Sequence, residues 1–260
     1  MSRFEDYAER YKFVRFKRRD GVLELAIHKD GGPAMWGAYR GALHEELGDA
    51  FYQIARDPDV RILILTGTGD VFLTLMDFSV QEPDMGTPAF WDRIYKEGKD
   101  LLTNLLDIDV PVIGAVNGPA HIHAELLTLS DIVIASERAS FADKVHCLGG
   151  TVAGDGVHTW WPMLLGPNRG RHFLLTGAEI TAREGLAMGF VAEVVDHSAV
   201  NARVWEIALE LATRPSMSLR YTRIASIQHI KKRMLDELGY RLMLEGMGLM
   251  DTVHRYKGGR

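Results

Sequence analysis

The sequence is poor in cysteine and has no long hydrophobic run, and each absence excludes a class of protein. Cys147 is the only cysteine among 260 residues, so no disulfide can form within the chain, which is typical of proteins in a reducing compartment. No apolar stretch approaches the roughly 20 residues that a membrane helix needs. The N-terminal segment MSRFEDYAERYKF is polar and lacks the apolar core of a secretory signal. We therefore expect a cytoplasmic protein with no membrane partner.

An excess of positive charge is also missing. The net charge of −5 gives no electrostatic reason to expect nucleic acid as a partner. Two basic clusters, at residues 15–19 and 231–233, are short and lie among acidic residues, so we interpret them as solvated surface. With 47% hydrophobic and 25% charged residues, the composition is that of a globular protein with a sizeable core.

Two common catalytic signatures are absent as well. The chain has no G-x-S-x-G motif, which excludes the usual nucleophile turn of serine hydrolases. The segment TGTGD, residues 66–70, lacks the lysine of a phosphate-binding P-loop.

What is present is an alternation of strand and helix patterns. Apolar and polar residues alternate over residues 12–28 around Asp20-Gly21, which predicts a β-hairpin. Short β-rich runs at residues 60–67, 111–118 and 131–136 are separated by stretches with helical spacing. This order predicts an α/β fold with parallel strands and right-handed crossovers.

After residue 157 the pattern is almost entirely helical, apart from a strand-like run at residues 190–195. Residues 198–250 predict two or three helices, with a break at Arg214-Pro215. We therefore divide the chain into a core, 1–197, and a C-terminal helical region, 198–260. The apolar face of this region must pack on its own core or on a neighbouring subunit.

The most unusual loop is FADKVHCLGGTVAGDG, residues 141–156. His146 can accept a proton near neutral pH, and Asp155 on its other ring nitrogen would fix the tautomer and stabilise the imidazolium. The alternative is a locally bonded loop histidine, with Asp155 capping a helix that begins near Val157. Cys147 adjoins His146, but adjacent side chains usually point apart, so we expect a small buried hydrophobe.

A second group of polar residues follows the strand at 111–118. His121, His123 and Glu125 lie within five residues and, together with His146 and Asp155, have ligand types that could bind a metal. Because this stretch is predicted to be a turn entering a helix, we expect no metal. His123 could instead donate a hydrogen bond to a substrate carbonyl.

Three ordered motifs carry a resemblance to a known family. ILTGTGDVFLTLMDF, PVIGAVNGPAHIHAELLTLSDIVIASERASF and GPNRGRHFLLTGAEITAREGLAMGFVAEVV resemble the crotonase (enoyl-CoA hydratase/isomerase) superfamily over nearly the whole chain. The resemblance implies a spiral core of repeated ββα units. It also implies C-terminal helices that assemble the chain into a homotrimer or a dimer of trimers.

The chain departs from that family where acyl-CoA thioesters are held. Members use two backbone N–H groups as an oxyanion hole, one in an F-x-A-G-x-D loop and one in a triple-glycine stretch. Here Leu75 stands in place of the first glycine, and residues 118–125 contain no triple glycine. His146 stands where hydratases carry a second catalytic glutamate, and Glu125 lies near the first.

These departures resemble a smaller branch, 6-oxocamphor hydrolase and related β-diketone hydrolases, which cleave C–C bonds without CoA or another cofactor. The resemblance implies catalytic roles for four residues: His146, Asp155, His123 and Glu245. It implies substrate contacts for five more: Trp36, Met76, Phe78, Glu125 and Ile122.

The function expected from this resemblance is retro-Claisen hydrolysis of a non-activated, cyclic β-diketone, with His146 and Asp155 activating water. Two alternatives remain open. The first is an enoyl-CoA hydratase or isomerase that uses Glu125 as its acid or base. The second is a catalytically silent subunit that serves assembly.

Overall fold

The computed structural model describes residues 1–258 of the chain, which form one main sheet, two small sheets and ten α-helices. The strands are β1 (Val14–Arg19), β2 (Val22–Ile27), β3 (Ala34–Trp36), β4 (Ile62–Thr66), β5 (Leu73–Met76), β6 (Val112–Val116), β7 (Ile132–Ser136), β8 (Ser140–Phe141), β9 (Ile180–Thr181) and β10 (Glu193–Val195).

One helix precedes the first strand, and the others lie between and after the strands. They are α1 (Phe4–Tyr7), α2 (Leu43–Ile54), α3 (Pro88–Leu106), α4 (Glu125–Thr128), α5 (Lys144–Gly149), α6 (Val157–Leu165), α7 (Pro167–Thr176), α8 (Ala182–Met188), α9 (Val200–Ala212) and α10 (Ser216–Tyr256). None of the helices in this described part of the chain is long and apolar enough to cross a membrane.

The main sheet has the strand order β1-β2-β4-β6-β7-β10. The β1–β2 pair is the antiparallel hairpin predicted around Asp20, and every later neighbour is parallel. The central strands β4 and β6 are buried at every position because helices cover both faces of the sheet. Trp205 and its neighbours on α9 pack on one face, and the larger core cluster lies on the other. The predicted α/β class is confirmed.

A second layer of short strands positions the predicted site residues. β3 pairs in parallel with β5, and single bridges join Leu73 to Ala120 and Ala120 to Phe141, the last residue of β8. The predicted site residues lie at or after the ends of these segments, at Trp36 and in the segments after Met76, Ala120 and Phe141. Because parallel segments end at the same edge, these residues are brought to one side of the layer.

The C-terminal region consists of two helices, α9 and α10, separated at residues 213–215, where the break was predicted. One face of α10 packs on α3 and α6 of its own core through Met234, Leu238 and Leu242. Another face exposes large apolar side chains, among them Tyr240 and Met247. The predicted packing of this region on a neighbouring subunit, as a trimer or hexamer, stays a prediction.

Candidate active site

Two glycines place Asp155 beside the C-terminal helix. A Cβ on Gly154 would lie 2.4 Å from Cβ of Glu245, so only a glycine allows α10 to approach this closely. Gly156 has φ of +91°, and a Cβ there would lie 2.4 Å from Cδ1 of Leu102. The close approach of α10 at Gly154 brings the carboxylate of Glu245, ninety residues later in the chain, next to Asp155.

His146 lies on the short helix α5, where the sequence pattern predicted a loop. Asp143 is the N-cap of this helix, and Gly150 ends it in the left-handed conformation, with φ of +68°. His146 is 3% exposed.

The carboxylate that orients His146 is that of Asp143, which corrects the expectation that Asp155 would do so. Oδ1 of Asp143 lies 2.7 Å from Nδ1 of His146. Asp155 lies on the opposite side of the ring, with its Oδ1 3.6 Å from Nε2, and Oε1 of Glu245 is 3.5 Å from the same nitrogen. Both distances exceed that of a direct hydrogen bond. Asp155 does not cap α6 either, since Gly156 is the N-cap and no side chain caps it.

Asp143 was missed by the sequence interpretation, although a signal was present. An aspartate three residues before a histidine, at the start of a helix, is the spacing at which an N-cap side chain meets the third helical residue. Because no long helical pattern follows Asp143, that signal was not recognised.

His123 is held in an uncommon backbone conformation, with φ of +49°. A left-handed residue other than glycine costs about 1–2 kcal/mol, so an outlier of this kind suggests a functional constraint. Nδ1 of His123 lies 2.6 Å from Oε1 of Glu125 and 3.5 Å from Oδ2 of Asp155. Its ring packs against Trp36, with ring centroids 3.9 Å apart.

His44 also packs near Trp36 and was not predicted. The ring centroids of His44 and Trp36 are 5.1 Å apart, and Nδ1 of His44 lies 3.4 Å from Oε2 of Glu97. His44 is 6% exposed and belongs to the buried face of α2. A histidine among apolar residues at helical spacing gives no sequence signal that separates it from the core.

Burial and mutual charge shift the pKa values of the cluster. Burial raises the pKa of Asp155 to about 7 and that of Glu125 to about 8. Burial also lowers the pKa of His123. For His146 burial alone would lower the pKa, but the carboxylates of Asp155 and Asp143 outweigh it and hold the pKa well above its usual value.

The remaining predicted contacts divide into buried and exposed positions. Met76 is half-buried and pairs with Trp36 across β5 and β3, and Ile122 is buried next to His123. Phe78 is 75% exposed on the loop after β5, so its role in substrate binding stays a prediction.

The backbone near Ile122 is already engaged within the protein. Its N–H donates to the carbonyl of Leu73 at 3.2 Å, and the N–H of His121 donates to the same carbonyl at 2.9 Å. In the family comparison made from the sequence, this stretch replaces the triple glycine. The Ile122 N–H is therefore not free to hold a thioester oxygen.

Two side chains near the cluster have local roles. Nε2 of His121 lies 2.8 Å from Oγ of Ser140 and Nδ1 lies 3.1 Å from Nζ of Lys144, which ties this histidine to neighbouring segments. Sγ of Cys147 faces the carbonyl of Leu175 at 3.8 Å.

Two overlapping groups have the ligand types of a metal site. His123, Glu125 and Asp155 form one, and His146, Asp155 and Glu245 form the other, each with its ligand atoms within 4.8 Å of one another. The first group is already joined by the Glu125–His123 hydrogen bond, and the cationic character of His146 offsets the carboxylates of the second. The expectation of no metal stays a prediction.

Comparison with known proteins places the chain in a family context. The sequence model of the family described as enoyl-CoA hydratase/isomerase matches residues 20–246. The carnitinyl-CoA dehydratase of Salmonella enteritidis is 31% identical over 242 residues, which cover 90% of this chain and 87% of the relative. The 1,2-epoxyphenylacetyl-CoA isomerase of Escherichia coli is 29% identical over 217 residues, covering 80% and 79% of the two chains.

Solved structures are similar in fold, and one is also similar in sequence. A β-diketone hydrolase from Anabaena sp. PCC 7120, bound to (S)-3-oxocyclohexyl acetic acid, has a TM-score of 0.91 and 43% identity. The match covers 95% of this chain and 97% of that one. An enoyl-CoA hydratase/isomerase from Mycobacterium paratuberculosis has a TM-score of 0.85 at 23% identity, covering 95% and 99% of the chains, which shows the shared fold alone.

Proposed function

The chain belongs to the enoyl-CoA hydratase/isomerase family, and from that premise we propose that it is a C–C bond hydrolase of non-activated, cyclic β-diketones. Membership makes the protein an enzyme of the crotonase superfamily with the crotonase fold. The fold does not decide the reaction, because one fold hosts many chemistries, so the proposal rests on the site.

The observation that carries the proposal is the arrangement around Nε2 of His146. Oδ1 of Asp155 and Oε1 of Glu245 lie 3.6 and 3.5 Å from this nitrogen, and all three residues are mostly buried. Their ligand atoms lie within 4.8 Å of one another, and in the proposal the attacking water binds within hydrogen-bond reach of all three. The other nitrogen is held by Asp143, which fixes the ring.

In the proposed reaction this water attacks one carbonyl carbon of the diketone. The His146–Asp155 pair takes the proton of the water, and Asp143 stabilises the imidazolium. The tetrahedral intermediate then collapses by breaking the bond between the carbonyl carbon and the carbon that lies between the two carbonyls. The electron pair moves into the second carbonyl and forms an enolate, which takes up the proton at carbon. One diketone and one water give one keto acid.

His123 supplies the proposed stabilisation of charge on the substrate. The hydrogen bond of His123 within the described residues is made by Nδ1, to Glu125, so in the proposal Nε2 donates to a carbonyl oxygen of the substrate. Such a donor replaces the backbone N–H groups of an oxyanion hole. Trp36 packs against the ring and, with Met76, forms an apolar wall suited to a cyclic hydrocarbon skeleton.

The similarity to the β-diketone hydrolase supports this proposal, because the bound compound of that protein is a cyclic ketone that carries an acetic acid group. A compound of this kind is what hydrolysis of a bicyclic β-diketone yields. The test is to supply a panel of cyclic and bicyclic β-diketones to the purified protein and to follow loss of diketone and formation of keto acid.

A second candidate is hydration or isomerisation of an acyl-CoA thioester. The curated relatives at about 30% identity are named for such reactions. Glu125, buried and with its pKa raised to about 8, would then be the acid or base. The engaged N–H of Ile122 and the side chain of Leu75 at the glycine position of the first loop argue against this candidate.

A further inference from the structure

We propose that Glu125 is a positioning residue whose carboxylic acid donates a hydrogen bond to Nδ1 of His123 and so keeps the imidazole proton on Nε2. The use of that proton on a substrate carbonyl rests on the proposed β-diketone chemistry. The tautomer itself does not, and it can be measured without substrate.

The contact between the two residues is short and enclosed. Glu125 is the first residue of α4 and is 1% exposed, and His123 is 6% exposed. Oε1 and Nδ1 are 2.6 Å apart. An N–H donor to oxygen usually sits at about 2.7–3.2 Å, whereas O–H donors make shorter bonds. The distance therefore favours the acid O–H as the donor and Nδ1 as the acceptor.

The shared burial of the pair favours its uncharged form. Burial raises the pKa of Glu125 to about 8 and lowers the pKa of His123, so neither group is charged at neutral pH. A neutral imidazole carries one proton. Because Nδ1 accepts from Glu125, that proton lies on Nε2.

Within residues 1–258, no other group competes closely for Nδ1 of His123. Oδ2 of Asp155 is 3.5 Å from the same nitrogen, which is 0.9 Å farther than Oε1 of Glu125. Trp36, at 3.9 Å between ring centroids, restricts rotation of the ring. The left-handed backbone at His123 sets the direction of the side chain. The ring is thus held in place, and Glu125 decides which nitrogen bears the proton.

The charge state of Glu125 matters because an ionised carboxylate would have the opposite effect. It would accept a hydrogen bond from Nδ1–H, and Nε2 would then carry a lone pair instead of a proton. A bare Nε2 cannot donate to a carbonyl or to an enolate oxygen. A neutral acid at position 125 is therefore needed for His123 to stabilise negative charge on the substrate.

The direct test is the tautomer of His123 in the full-length protein without substrate. Long-range proton–nitrogen correlation spectra of protein labelled with ¹⁵N-histidine would be recorded at pH 7, and His123→Gln would identify the signal of His123 by its loss. We expect a protonated Nε2 and an unprotonated Nδ1. A protonated Nδ1 with a bare Nε2 would overturn the proposal, whatever the substrate is.

A pair of variants tests the same point through turnover of a β-diketone. In Glu125→Gln the amide N–H can still donate to Nδ1, so kcat should stay within about tenfold of the wild type. Glu125→Leu has a similar size but no donor, and kcat should fall roughly 10²-fold with little change in KM, as for loss of one oxyanion donor. Equal loss in both variants, or none in Glu125→Leu, would contradict the proposal. If Glu125→Leu does not fold, as judged by circular dichroism, the tautomer measurement decides.

Discussion

Oδ1 of Asp143 lies 2.7 Å from Nδ1 of His146, and the same oxygen faces the backbone N–H of His146 at 3.5 Å as the N-cap of helix α5. One carboxylate thus starts the helix and orients the imidazole that the helix carries. The opposite nitrogen of His146 faces Asp155 and Glu245, at 3.6 and 3.5 Å. Asp143 thus has the orienting position, and in the proposed reaction Asp155 is left for the chemistry.

Asp143→Asn should lower the pKa of His146, because one of the carboxylates that raise it is lost. In the wild type His146 can act as a base only when it is unprotonated, at a pH above its raised pKa. We therefore expect kcat/KM to keep rising with pH well above about 6.5, the pKa of free imidazole. In the variant this rise should move to lower pH, while the maximal kcat/KM falls because the tautomer loses support. Asparagine also caps helices, so the fold should remain. The measurement is the pH profile of kcat/KM, and an unchanged profile would contradict the role of Asp143.

His146 and Asp155 should behave as one unit. His146→Ala should remove most of the turnover, and Asp155→Asn should cost less because the imidazole remains. The double variant should be scarcely worse than His146→Ala alone, since both changes disable the same water. The four proteins would be compared by kcat with one diketone. Losses that multiply would show that the two side chains act independently.

Gly154→Ala should destabilise the protein and displace Glu245. The added Cβ would lie 2.4 Å from Cβ of Glu245 and 2.5 Å from the carbonyl of Arg241, so α10 has to move. Overpacking of this kind costs about 1–3 kcal/mol, and turnover should fall as well. Gly149→Ala is the matched control, because its Cβ would meet nothing within 4 Å. Thermal unfolding of both variants checks this, and equal midpoints would argue against close packing of α10 at Gly154.

Crotonyl-CoA should not be hydrated at a useful rate, because the Ile122 N–H is bonded to Leu73 and Leu75 occupies the glycine position of the first loop. The absorbance of the conjugated thioester gives the measurement. Efficient hydration that is lost in Glu125→Gln would make Glu125 the acid or base and favour the second candidate function.

The hairpin, the parallel strands of the main sheet and their succession along the chain were predictable because periodicity is a local property of sequence. The hairpin around Asp20, the buried strands β4, β6 and β7, and the break between α9 and α10 all follow from alternation, apolar runs or a proline. Helix α5 was not predictable, because it has only six residues and depends on the cap at Asp143 and the left-handed Gly150.

Site residues that belong to family motifs were predictable from the sequence. Residues that reach the site through contacts between distant parts of the chain were not. The proximity of Glu245 to His146 depends on the bare backbone at Gly154, and no local pattern encodes a contact across about a hundred residues. The spacing of apolar residues in α2 predicts only that His44 lies on the buried face of an amphipathic helix. The 2.6 Å contact of Glu125 with His123 depends on the left-handed backbone at His123. A histidine in the sequence does not predict that backbone conformation.

The measurement that tests the account most directly is hydrolysis of a bicyclic β-diketone in H₂¹⁸O by the wild type and by His146→Ala. The account predicts that the wild type converts the diketone to a single keto acid with one ¹⁸O atom in the new carboxylate, after correction for exchange of the diketone in buffer alone, and that His146→Ala loses most of this activity. A wild type that leaves every diketone of the panel intact, or a His146→Ala variant that hydrolyses it at the wild-type rate, would contradict the account.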